Sequence, residues 1–130
     1  MIGFLVLGLA QAQRPTSGGL FSFDAEDIVQ SYDLDMIRVH YSVEGPNLVK
    51  QGDADEDGVP DFARMVAEEA NAVLEFYAEQ GFRYPISESE MGFGALGGSE
   101  AFDFYLVDFA GNSDGMFGVD GCAGMKCSGY

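Results

Sequence analysis

One hundred and thirty residues allow one domain at most, or a piece of a larger one. Six Lys and Arg stand against 22 Asp and Glu, and the resulting net charge of −16 repels phosphate backbones and anionic lipid surfaces, arguing against nucleic acid as a partner and favouring cations. Hydrophobic residues at 47%, with 11 Phe and 6 Tyr, exclude a disordered acidic tail, and 18 glycines imply many turns and loops.

Ile2 to Ala10 is an uncharged apolar run followed by Ala10-Gln11-Ala12. It reads as the apolar part of an export signal with an A-x-A cleavage site, leaving Gln13 as the mature start. The run is too short to span a bilayer. It lacks a basic residue ahead of it, and the competing reading is a buried N-terminal strand or helix. The expected division is therefore a signal at 1–12, a leader with a short helix at 13–35, and an α+β segment at 36–130. The expected location is secreted or at the cell surface. Gln13 to Leu20 is polar and without periodicity, and Asp24 to Asp33 is expected to form one or two helical turns, with Asp24 as N-cap and Asp27 as its N3 partner.

Met36 to Val43 alternates, with Ile37, Val39 and Tyr41 on one side and Arg38, His40 and Ser42 on the other, the pattern of a half-buried strand. After a turn at Gly45-Pro46-Asn47, a helix is predicted from Pro60 to about Gln80. Phe62, Met65, Val66, Val73, Leu74 and Tyr77 form its apolar face, and Asp61, Glu68, Glu75 and Glu79 the opposing one. Proline at the first helical position and Gly81 beyond the end punctuate it. Ile86 to Glu100 reads as loop, and Ala101 to Asp108 as a second strand. Phe102, Phe104 and Leu106, with Phe23 and Tyr41, are expected in the core. Phe109 to Tyr130 is Gly-rich and shows no element. Within it Cys122 and Cys127 have C-x4-C spacing, which fits neither a thioredoxin-like pair nor a complete zinc site; a structural disulfide is expected. The predicted fold class is thus α+β: one long amphipathic helix preceded by an acidic loop and packed on a small incomplete sheet.

The chemistry concentrates between residues 53 and 61. Asp53-Ala-Asp-Glu-Asp-Gly-Val-Pro-Asp61 sets carboxylates at loop positions 1, 3, 5 and 9, with Gly58 at position 6. Alternate acids in a tight turn share a centre, and so many anions in one turn repel one another unless a cation joins them. All-oxygen, flexible donors favour calcium over magnesium. The expected ligands are Asp53, Asp55, Asp57, the Val59 carbonyl and Asp61. Arg64 stands at position 12, where an EF-hand carries a bidentate Glu, so affinity should be modest, with Kd on the order of 10⁻⁴ to 10⁻³ M.

Other candidates carry less. Gly92-Phe-Gly-Ala-Leu-Gly97 satisfies G-x-G-x-x-G, but a strand rather than a helix follows it, which excludes a dinucleotide turn. Asp108, Asn112, Asp114 and Asp120 fit no cation-site spacing. His40 is the only histidine; it reads as a structural residue on its strand, and a lone histidine cannot assemble a zinc hydrolase.

Val39-His40-Tyr41, then Asp57-Gly-Val-Pro-Asp61 running into a helix, then Gly81-Phe-Arg-Tyr-Pro85 and Phe102-Asp-Phe-Tyr-Leu-Val-Asp108, together resemble the N-terminal region of a family of secreted bacterial proteins regarded as zinc metalloproteases. The D-x-D-G-V-P-D part also resembles the calcium loops of thrombospondin type 3 repeats. The family resemblance implies a catalytic H-E-x-x-H helix downstream. This sequence contains no such motif, so the resemblance implies calcium for this chain, zinc only for a downstream catalytic region, and that region as a partner. The alternative is a free-standing extracellular calcium-dependent binding or adhesion module.

Overall fold

The computed structural model describes Ile28, residues 30–111, Gly115, and residues 117–124 and 126–129. The signal reading of 1–12, the Asp24 cap and Phe23 fall outside these residues. In chain order the elements are β1 (Gln30–Leu34), β2 (Ile37–Tyr41), α1 (Asp61–Glu79), β3 (Phe102–Tyr105), β4 (Val119–Ala123) and β5 (Lys126–Gly129). The first three strands form a mixed sheet in the order β1-β2-β3, and β4 and β5 form a separate hairpin. Among the described residues the architecture is α+β, with one α-helix packed on a small sheet.

β1 corrects the sequence reading, which placed a helix over Asp24–Asp33. Gln30 to Leu34 is extended and pairs antiparallel with β2, Leu34 facing Ile37 across a two-residue turn. Asp35 opens that turn at φ 50°, a left-handed conformation Asp tolerates better than most residues. Alternation explains the outcome at residues 30–34: Tyr32 and Leu34 join the core while Ser31 and Asp33 face away, and cross-strand pairing stabilises the extended form.

β2 is the central strand, with both faces covered rather than one. Ile37 and Val39 are wholly buried beneath α1, and Tyr41 nearly so. On the opposite side His40 and Ser42 are buried as well. β3 runs parallel to β2, Val39 opposite Phe104 and His40 opposite Tyr105, as expected when a helix makes the crossover.

α1 buries Ala63 and Ala67 completely, with Val66, Ala70 and Leu74 packed beside them. The large residues expected on this face divide: Val66 and Leu74 pack inward, whereas Phe62, Met65, Val73 and Tyr77 are exposed. Spacing identifies a stripe but not which of two neighbouring stripes meets the sheet. The alanine stripe wins because small side chains let helix and strand approach closely. Pro60 is the N-cap rather than the first helical residue, so the helix begins one position later than predicted, and the Pro60 carbonyl accepts the Arg64 N–H at 3.2 Å. At the other end Gly81 takes φ 88°; its N–H reaches the Ala78 carbonyl and the Phe82 N–H the Tyr77 carbonyl, a Schellman closure with Phe82 packed edge-on to Tyr77.

The β4–β5 hairpin is a second correction, since no element was predicted after Phe109. Ala123 faces Lys126 across the turn, where Gly124 has φ 66°, and Cys122 faces Cys127. Cys122 is disulfide-bonded.

Beneath the sheet, away from α1, lies a polar layer. The Arg38 guanidinium donates to both Asp33 carboxylate oxygens, at 2.5 and 2.7 Å, and to the Gly97 carbonyl at 3.1 Å. His40 Nε2 lies 2.6 Å from Oδ1 of fully buried Asp103, and the imidazole stacks on the Tyr105 ring at 4.2 Å. The Gly92–Gly97 string closes over this layer: a Cβ at Gly97 would fall 2.5 Å from the Asp103 carboxylate, and its φ is +72°.

Candidate metal centre

The loop between β2 and α1 is pinned at its neck. The Asp61 N–H donates to the Gly52 carbonyl at 2.6 Å, and the Asp61 carboxylate accepts the Ala54 N–H at 3.1 Å. Within the neck the chain reverses through two left-handed residues, Glu56 at φ 59° and Gly58 at φ 88°. Glycine meets that requirement freely; for Glu56 the same geometry costs roughly 1 kcal/mol.

The reversal gathers three of the predicted acids. Asp53, Asp55 and Asp57 each offer a carboxylate oxygen, all within 4.8 Å of one another, so the group is able to hold a metal ion. All three are solvent-exposed. Asp53 accepts the N–H groups of Asp57 at 3.1 Å and Gly58 at 2.9 Å, and Asp57 accepts the Val59 N–H at 2.9 Å. Asp61 lies outside the group, its carboxylate engaged with Ala54. Val59 packs its side chain against the core.

Arg64 is the member that sequence reasoning undervalued. From the first turn of α1 its guanidinium meets Asp57 and stands 3.1 Å from Asp55, with the Tyr32 ring 5.6 Å beneath it. At position 12, where an EF-hand adds a negative ligand, this loop adds a positive counter-ion. The Val59 N–H, then Arg64, hold the Asp57 carboxyl below the usual carboxylate range, and Asp57 in turn raises the Arg64 guanidinium. The signal for it was visible as a basic residue at a ligand position. Three carboxylates and one guanidinium leave a net negative focus of oxygen donors, the chemistry of a hard cation rather than a soft one.

Among the described residues no helix is long and apolar enough to cross a membrane. Comparison with protein-family models, curated proteins and solved structures finds no match for the chain.

Proposed function

We propose that this chain is an exported calcium-binding segment in which a cation at Asp53, Asp55 and Asp57 braces the entry of α1 against the sheet. The observation that carries the reading is the convergence of those three carboxylates. The pinned neck supports it, because an ion held there stiffens the junction between β2 and α1. Export rests on the apolar run ending at Ala12, and a place beside a secreted metallopeptidase's catalytic region rests on the sequence resemblance alone. In that setting the segment is non-catalytic.

Calorimetric titration with calcium and magnesium, paired with thermal melts, tests the metal. For Kd of about 0.3 mM, 10 mM calcium stabilises the fold by about 2 kcal/mol, a rise of several degrees in Tm. Asp55→Ala with Asp57→Ala abolishes that rise. An equal rise in this double variant would remove the calcium reading.

A further inference from the structure

The C-terminal half of α1 carries an aromatic row that the sheet does not use. Ala63, Ala67 and Leu74 turn inward, and helical spacing gathers Val73, Phe76 and Tyr77 on the flank pointing away from Arg64 and Asn71. The Tyr77 ring meets Phe76 edge-on at 5.8 Å and Phe82, beyond the helix end, at 5.6 Å. Phe76, Tyr77 and Phe82 are nonetheless 58%, 50% and 64% exposed, and Val73 beside them 50%. Contiguous exposed rings of this kind mark a contact surface, where scattered single ones do not.

Charge selects the partner. Glu69 lies four residues before Val73 and Glu79 three after Phe76, so two exposed carboxylates bracket the row, about 15 Å apart along the axis. Glu68 is exposed beside Glu69, while Glu75 faces the other flank and accepts the Asn71 side-chain amide at 3.3 Å. Between Met65 and Tyr84 these four glutamates stand against Arg83 alone. The last turn of α1 holds no basic residue to meet the negative end of its dipole. A cationic side chain arriving there gains the dipole, a carboxylate and the ring faces together.

We propose that this surface docks a basic amphipathic segment of another protein, its apolar side chains over Val73, Phe76, Tyr77 and Phe82 and its Lys and Arg side chains on Glu69 and Glu79. The chain itself offers poorer occupants. Residues 1–27 set Arg14 against Asp24, Glu26 and Asp27, and a second copy brings a charge of −16 and the same glutamates. Anionic lipid is repelled for the same reason. The acidic loop stands at the opposite end of α1, so the docking surface is independent of calcium.

The probe is a synthetic amphipathic helical peptide of Leu and Lys, titrated into the full chain without calcium while amide shifts are followed. Shifts centred on residues 69–84 are the expected result, with binding weakened about tenfold from low to physiological salt. Phe76→Ser with Phe82→Ser weakens binding about tenfold, and Glu69→Gln with Glu79→Gln about fivefold. Asp55→Ala with Asp57→Ala leaves it unchanged, which separates the surface from the metal loop. Equal binding of a peptide with the same lysines but Ser for Leu overturns the proposal, as do shifts centred on the Asp53–Asp57 loop. Ring contacts from the row to residues 1–27 or to a second copy in the free chain overturn it as well. The shift map of the unaltered chain decides the matter even if a variant does not fold.

Discussion

Two regions of this molecule hold negative charge by opposite means. The Asp53–Asp57 loop keeps its carboxylates in water, where solvent, backbone N–H groups and Arg64 share the load. Beneath the sheet, Asp103 is fully buried and answered by His40 at 2.6 Å. The difference lies in reversibility. Exposed anions can exchange one counter-ion for another at little cost, whereas a buried carboxylate is committed to the partner folded against it. The loop is therefore the region suited to binding, and the layer under the sheet to holding the fold.

The sharpest way to break that contrast is His40→Ala. It removes the Asp103 partner and the ring stacked on Tyr105, and should destabilise by about 3 kcal/mol, read as a lowered urea midpoint; a loss below about 1 kcal/mol would place Asp103 in a far wetter setting than its burial implies. Acid is expected to strip both regions. Hydrogen bonds from Arg38 hold the Asp33 carboxyl below its ordinary value, and the Val59 N–H, then Arg64, do the same for Asp57. Folded values below the unfolded ones mean that these contributions are present above about pH 4 and vanish as pH falls through the depressed values. Urea midpoints should drop over that interval, with a shallower drop in Arg38→Gln. A smaller effect is expected from Arg64→Gln: removing one positive charge beside the acids should raise calcium affinity about fivefold and leave the calcium-free urea midpoint nearly unchanged. Weaker calcium binding in this variant would show that the guanidinium organises the site rather than competing for it. Smallest is Glu56→Gly, which relieves the left-handed backbone and should stabilise by about 0.5 kcal/mol in chemical denaturation.

The sequence made some of this plain. β2, α1 and β3 were legible as elements because alternation, helical spacing and terminal punctuation agree with the segments that form, and the Asp53, Asp55 and Asp57 group because its spacing is itself geometric. β1 was hidden because Asp24 and Asp27 drew the reading of residues 30–33 toward a helix, although Ser31-Tyr32-Asp33-Leu34 carries the two-residue period that pairing with β2 exploits. The hairpin was hidden by glycine content. C-x4-C is nonetheless the spacing that sets two cysteines opposite each other around a two-residue turn. The buried side of α1 could not be read, since Ala63 and Ala67 give a weak hydrophobic signal and a strong steric one. The Asp103 partnership with His40 spans 63 residues of sequence and leaves no local trace.

Gly97 ties these threads to heredity and design. Two independent demands, handedness and clearance, converge on its α-carbon, so any side chain introduced there would wedge the overlying turn away from the carboxylate below. A single methyl group there would thus force the buried Asp103 carboxylate or the turn above it to shift, making position 97 a sensitive spot to watch when this scaffold is diversified or repurposed.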